Sequence, residues 1–473
     1  MTGAGEVPWR GTWVASRLGV RLVDSADPAD LVGLADLVGS ADLAGSADLV
    51  GLADLVGLAV RRNPKRAHLL VSAVLGKHVP TDPRLVYGAG LLLGDLVRAR
   101  LRGADASYGG AYLADALLGV KAAAAGLRDS LREPCASVDA VVLGYAETAT
   151  ALGHSVADAL GGAYYLHSTR RAVPGFIPYG GFEEEHSHAT SHLLLPGDPT
   201  ALDRDVPVVL VDDELSTGKT VLNTIEALHA ARPHRRYVVA VLVDLRGEDD
   251  EARVCALARR LNTRIDIVAL AHGRVELPEG ILSAGRSLVE DLSTQVVRED
   301  APGRFEVTRV DLEWPSGVPD GGRHGFLPVH RTRLEKDLPR MGDALAGPLS
   351  GAGRVLVLGF EELMYAPLRL AEALADLIPE VDVRYSTTTR SPVLAVDDPG
   401  YAIRTRLAFP SHDDPSDGPG ERYAYNVDAS FDRIVLVVDD IGDTEELSKG
   451  LLERLRALAP VLLATIPSYR SEP

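Results

Sequence analysis

Cysteine is nearly absent from this chain: Cys135 and Cys255 are the only two in 473 residues. That excludes a disulfide framework and fits a reducing cytoplasm, with both as small buried residues. The N-terminus has no apolar core of the kind a secretory signal needs, and no uninterrupted apolar run is long enough to span a bilayer. Basic residues are scarce, 49 Lys and Arg against 67 Asp and Glu for a net charge of -18, and they form no stripe. Phosphate backbones reward clustered Lys and Arg, so a nucleic-acid partner is not expected, and neither is a membrane. With 46% hydrophobic and 25% charged residues, the chain should be globular, soluble and cytoplasmic, and long enough for two or three domains.

Residues 29–58 repeat a six-residue unit five times, ADLVGL, ADLVGS, ADLAGS, ADLVGL, ADLVGL. Period six matches neither helix nor strand, and a Gly in each unit costs roughly 1 kcal/mol against Ala in a helix. Residues 1–60 are therefore expected to be a weakly structured segment without a catalytic role. From there, strands at 140–143, 163–166, 208–211, 237–243 and 264–270 alternate with helices at about 148–160, 221–231 and 250–261. That alternation predicts a doubly wound parallel sheet, with ligands held outside the carboxyl ends of its strands. Residues 286–345, rich in Pro, Gly and charge, read as a connecting region, and a second α/β block follows from about 346 to 473.

The most informative stretch is Val208-Val209-Leu210-Val211-Asp212-Asp213-Glu214-Leu215-Ser216-Thr217-Gly218-Lys219-Thr220. Four apolar residues form a buried strand, two acids close it, and a small-residue turn opens a helix. Ser216, Thr217, Gly218, Lys219 and Thr220 would offer backbone amides and hydroxyls at a helix N-terminus, where unpaired N–H groups favour a phosphate. Asp212 and Asp213 can accept hydrogen bonds from a ribose. Gly218-Lys219-Thr220 also matches the end of a P-loop, but that motif needs a glycine where Asp213 stands, so the P-loop is rejected.

Behind the 140–143 strand, the loop holding Ala146, Glu147 and Thr148 is a candidate pyrophosphate cradle. Ser168-Thr169-Arg170-Arg171 follows the next strand, and Arg170 is favoured over Arg171 as a catalytic cation, charge-assisted contacts to phosphate contributing roughly 1.5 to 3 kcal/mol each. Glu183-Glu184-Glu185-His186-Ser187-His188 and His192 have no recognisable zinc spacing. His186 and His188 stay open between a loop contact to pyrophosphate, a solvated loop and a metal site. Leu75-Gly76-Lys77-His78 could reach the same ligand through Lys77, or be a surface turn. Arg323-His324-Gly325 reads as a loop or an interface.

The segment 208–220 resembles the signature of type I phosphoribosyltransferases, in which the acids hold the ribose of phosphoribosyl pyrophosphate (PRPP) and the turn cradles its 5-phosphate. Residues 75–80 resemble, more loosely, a Ser-Gly-Lys segment of orotate phosphoribosyltransferases. Thr389-Arg390-Ser391-Pro392 is the tetrapeptide that names the TRSP domain, the companion of phosphoribosyltransferases in bacterial tellurite-resistance-associated clusters. The resemblance implies a phosphoribosyltransferase domain over 61–285, a connecting or hood region over 286–345 and a TRSP domain over 346–473. It implies Mg²⁺ brought in with PRPP, no metal ligated directly by protein, an unidentified base or amine as acceptor, and room for a homodimer. The alternative on the same fold is a non-catalytic PRPP sensor. Ser216 stands where hypoxanthine-guanine enzymes carry Asp, which weakens a 6-oxopurine acceptor.

The two α/β blocks also parallel each other. Leu143-Gly144-Tyr145 matches Leu358-Gly359-Phe360, Ser168-Thr169-Arg170 matches Thr388-Thr389-Arg390, and Val211-Asp212-Asp213 matches Val438-Asp439-Asp440. This predicts a duplication whose second copy is degenerate, since Ile441-Gly442-Asp443-Thr444-Glu445-Glu446 replaces the phosphate turn with carboxylates. Val355–Leu358 and Ile434–Val438 should then be neighbouring parallel strands.

Overall fold

A computed structural model describes residues 8–25, 50–63, 66–104, 106, 110–132, 136–171, 173, 175–182, 192–293, 304–411 and 420–469. The N-terminal part comprises α1 (Thr12–Leu18), β1 (Arg21–Asp24), α2 (Leu52–Leu55) and the hairpin β2 (Val56–Asn63) and β3 (Arg66–Ser72). Then come α3 (Pro83–Arg102), α4 (Gly110–Leu117) and α5 (Lys121–Leu131). The first sheet follows with β4 (Val141–Gly144), α6 (Thr150–Leu160), β5 (Tyr164–His167), the short hairpin β6 (Gly180–Phe182) and β7 (His192–Leu194), and β8 (Val208–Leu215). It ends with α7 (Lys219–Ala231), β9 (Arg236–Asp244), α8 (Glu248–Leu261), β10 (Arg264–Glu276) and α9 (Ile281–Ser293).

Local chemistry sets these boundaries. Asp82 caps α3 by accepting from the Arg84 amide at 2.9 Å, Pro83 occupies the first turn, and Gly103 ends the helix in the left-handed region. In α8, four acids fill the first turn and Arg259 and Arg260 the last, complementing the helix dipole.

The second unit comprises β11 (Val307–Val310), α10 (Pro328–Ala346), β12 (Arg354–Gly359), α11 (Tyr365–Leu377), β13 (Asp382–Thr387), the hairpin β14 (Arg406–Pro410) and β15 (Glu421–Tyr425), β16 (Arg433–Asp439) and β17 (Val461–Ile466). The first sheet is ordered β1-β10-β9-β8-β4-β5, parallel except for β1, and the second is ordered β11-β17-β16-β12-β13, parallel throughout. The expected doubly wound α/β fold followed by a second α/β domain is present.

The sheets superpose in topology: β5-β4-β8-β9-β10 corresponds to β13-β12-β16-β17-β11, except that β11 comes from before its sheet in sequence. Leu356 pairs with Ile434 and Leu358 with Leu436, as a duplication requires. Local hydrogen bonds repeat too. Ser168 N donates to Gly144 O and Thr388 N to Gly359 O, at 2.9 and 3.2 Å. Ser168 Oγ accepts from the Ala146 amide at 3.0 Å, and Thr388 Oγ1 from the Glu361 amide at 3.1 Å.

The two units embrace reciprocally. The edge strand β5 is bridged at Tyr165 by Phe326, just before α10, and the edge strand β13 is bridged at Tyr385 by Thr81, just before α3. Gly322 lies against Tyr165 and Gly76 against Tyr385 so closely that a Cβ would come within 2.3 and 2.5 Å of the rings, so glycine is required at both crossings. α3, α6 and α11 pack against one another, with α10 on α11, so the helical layers of both units meet in a shared apolar core.

Several expectations need correction. The 1–60 segment is not uniformly weak. α1 is packed by Trp13 and Val14, β1 pairs with β10, and residues 56–60 belong to β2; residues 26–49, most of the repeat, lie outside the described residues. Boundaries at 60 and 285 cut through β2 and α9. The 286–345 region is more than a connection, because β11 pairs with β17 and α10 buries Leu334, Leu338 and Met341. A short strand and a helix interrupted by Pro339 left only a weak periodic signal there. Cys255 is half-buried rather than buried, and Cys135 lies outside the described residues. Among the described residues no helix is long and apolar enough to cross a membrane.

Buried histidines should make stability pH-dependent. Burial pulls His68, His167 and His324 down to about 4 and lowers His78 and His154 as well. The unfolded chain then takes up protons below about pH 6.5 that the native state refuses. The histidine contribution to stability should be level above about pH 6.5 and fall as pH drops towards 4, by up to about 1.4 kcal/mol per pH unit for each histidine. Urea midpoints at pH 7 and pH 5 measure this, and equal midpoints would contradict it.

Candidate active site at the carboxyl end of the first sheet

β8 continues through its acids to Leu215, pairing with β9 past Glu214, so Asp212, Asp213 and Glu214 stand at the carboxyl edge of the sheet. Gly218 then turns the chain into α7 at φ +71°, a conformation that glycine adopts without strain. The first amides of α7 have no intrahelical acceptors. Beside β8, β4 delivers the 145–149 loop, and the segment after β5 delivers Arg170.

These elements surround a cavity of about 370 Å³. Asp212, Asp213, the whole 216–220 turn, Ala146, Glu147, Thr148, Arg170 and Lys77 all line it. Lys77 Nζ donates to Thr148 Oγ1 at 2.6 Å, which ties the 76–78 turn to the loop after β4. Arg170 Nη2 lies 3.4 Å from His192 Nε2, and His192 Nδ1 lies 2.9 Å from Ser168 Oγ. Arg171 turns away from the cavity, towards Glu361 at 3.5 Å and Glu362 at 4.0 Å in the second unit. His186 and His188 lie outside the described residues. Among the described residues no group of three or more His, Cys, Asp or Glu is arranged to hold a metal ion.

The electrostatics are those of a site crowded with charged groups. Burial, then Glu214, raises the Asp213 carboxyl above its ordinary pKa, with Lys77 opposing. Burial and Glu361 raise Glu147 against the pull of Arg390 and Lys77. Burial lowers the Lys77 ammonium, against Glu147 and Asp213. Glu214 is held below its ordinary value by Arg66, at 2.6 Å, despite burial.

Among the charged residues of the cavity, Arg61, Arg66, Glu214 and Arg390 escaped sequence reasoning. Glu214 belongs to the signature itself, and its reach to Arg66 depends on the placement of the β2–β3 hairpin, which no local pattern encodes. His324 is not at the cavity. It stacks on Phe176 at 3.6 Å, and Arg323 bonds Glu362 in the second unit.

Residues 55–274 match the family model described as phosphoribosyl transferase, and residues 320–455 match the TRSP domain that lies C-terminal to it. The chain thus joins a region similar to phosphoribosyl transferases to a TRSP domain. Among solved structures, adenine phosphoribosyl transferase from Trypanosoma brucei aligns at 19% identity over 30% of this chain and 60% of its own, with a TM-score of 0.22. The Giardia lamblia enzyme aligns at 19% over 34% and 84% (TM-score 0.23), and the Rhodothermus marinus enzyme at 15% over 48% and 99% (TM-score 0.26). The chain spans about three fifths of the length of the first of these. No curated protein matches the chain.

The Gly218 turn gives a direct test of the cavity. Gly218→Val places a β-branched residue at positive φ, where only Leu215 is near its Cβ, so the variant should fold but distort the turn. Ribose 5-phosphate affinity by calorimetry should fall at least tenfold; unchanged affinity would remove the turn from the site.

Proposed function

We propose that the protein is a phosphoribosyltransferase that uses PRPP to ribosylate a base or amine with release of pyrophosphate. The observation that carries this reading is the convergence of the 216–220 turn, the paired acids, the 146–148 loop and Arg170 on one cavity. In this reading the amides and hydroxyls of Thr217 to Thr220 hold the 5-phosphate, and Asp212 and Asp213 accept from the ribose hydroxyls. The 146–148 loop, Lys77 and Arg170 face the pyrophosphate as its bond to the anomeric carbon breaks. Catalysis is then mostly positioning and electrostatics. Mg²⁺ would enter with PRPP, without direct ligation by protein, and would offset leaving-group charge. The domain limits at 61–285 and 346–473 belong to the same reading, widened to take β2 and α9 whole into the first domain and β11 and α10 into the second. So do a homodimer and a biosynthetic cluster linked to tellurite or stress resistance.

The presence of the Glu147 carboxylate in the loop that would meet pyrophosphate favours one second reading, a PRPP sensor that does not turn over. Purified protein incubated with Mg²⁺, PRPP and a panel of bases and amines separates the two. Pyrophosphate released only with one acceptor supports transfer. PRPP binding with no release against any acceptor supports sensing, and no PRPP binding removes both.

A further inference from the structure

The TRSP tetrapeptide is not remote from the cavity in the first unit; Thr389, Arg390, Ser391 and Pro392 form part of its wall. Arg390 Nε lies 2.6 Å from Glu147 Oε1, in the loop after β4, and its Nε and Nη2 donate to Glu361 Oε2 at 3.0 and 2.9 Å. Glu361 is fully buried and is also held by Arg422 at 2.6 Å.

The segment is anchored on both sides. Arg62 N donates to Pro392 O at 3.1 Å and Leu394 N to Val60 O at 2.9 Å, so β2 of the first unit pairs with it. Tyr425 OH donates to Ser391 O at 2.7 Å from within the second unit. A cation so fixed loses little freedom when an anion arrives.

Arginines that follow the two edge strands reach across in both directions, Arg390 towards Glu147 and Arg171 towards Glu361 and Glu362, although the duplication aligns Arg390 with Arg170. In the second unit that arrangement has closed. Arg323 joins Arg171 on Glu362, its Nη2 2.6 Å from the carboxylate, and the space beside them is about 10 Å³, too small for a substrate. Glu361 and Glu362 lie on the second unit's counterpart of the 146–148 loop, and both are held by arginines. In the first unit the cavity is open and lined by Arg390 as well as Arg170 and Lys77. Without Arg390, Glu147 would keep only Lys77 and Arg170 to offset its charge beside an anion in the loop.

Resting on the reading that this cavity binds PRPP, we propose that Arg390 is a pyrophosphate-binding residue of the first unit's site. The second unit, having lost its own site, acts as a tethered partner subunit that completes it.

The test uses the full chain with Mg²⁺, and inorganic pyrophosphate and ribose 5-phosphate as separate calorimetric probes. Arg390→Ala should weaken pyrophosphate binding about ten- to a hundredfold, leave ribose 5-phosphate within about twofold, and be partly rescued by Arg390→Lys. Arg390→Gln, which keeps most of the side-chain volume, should give the same pattern if the alanine variant does not fold. Two outcomes overturn the proposal: pyrophosphate affinity unchanged in Arg390→Gln, or both probes weakened equally in it, which would mark Arg390 as structural. Wild-type protein that binds neither probe would overturn the reading of the cavity itself, a result that differs from both.

Discussion

Replacing Asp212 and Asp213 together by asparagine is expected to slow phosphoribosyl transfer by about two to four orders of magnitude, from two charge-assisted contacts at roughly 1.5 to 3 kcal/mol each. The fold should survive. Asp213 is a half-buried carboxyl already pushed towards its neutral form by desolvation and by Glu214, so removing its charge relieves repulsion instead of creating it. Asp212 Oδ1 accepts from the Asp213 amide at 2.9 Å, a bond that asparagine can still make. The melting temperature of the double variant should therefore be equal to or above that of the wild type. The rate is read as acceptor-dependent pyrophosphate release. A folded double variant with wild-type rates would take these acids out of the mechanism.

What the sequence disclosed and what it concealed divide along the range of the interactions. The strands 141–144, 164–167 and 208–211 were legible because short apolar runs ended at Gly144, His167 and Asp212. The turn at Gly218 was legible because one left-handed position calls for glycine. The duplication was legible from its strand ends, and the pairing of Val355–Leu358 with Arg433–Leu436 agrees with it.

What stayed hidden is non-local. Val307–Val310 joins the far edge of the second sheet from ahead of it in sequence, so no repeat of order betrays it. The crossings of Gly322 on Tyr165 and Gly76 on Tyr385 join residues far apart in the chain. Gly76, Lys77 and Arg323 were noticed for their chemistry, but nothing in their neighbourhoods says that they sit where two units grip each other. Arg390 was noticed only as part of a name and as the match of Arg170.

That grip has a measurable centre. Arg369 on α11 is fully buried, with Nε 2.8 Å from Glu372 Oε2 and Nη1 donating to Tyr365 OH at 2.9 Å and to Tyr87 OH at 3.1 Å. Asp158 of α6 lies 3.7 Å away and accepts from both tyrosines, at 2.7 Å from Tyr365 and 2.9 Å from Tyr87, so one network joins α3 and α6 of the first unit to α11 of the second. Arg369→Ala is expected to destabilise the protein by about 3 to 5 kcal/mol, because it leaves buried carboxylates short of a partner and opens a cavity. The loss should shrink as pH falls. Burial already raises the Asp158 carboxyl, with Arg331 and Arg369 opposing, so removing Arg369 raises it further and protonation then relieves the variant more than the wild type. Urea unfolding of wild type and Arg369→Ala at pH 8 and pH 6 tests both points, and the shared core predicts a single transition at each pH. A cost below about 1 kcal/mol, of the order of an exposed ion pair, would show that this network does not hold the units together. A second transition appearing in the wild type would show that they fold independently.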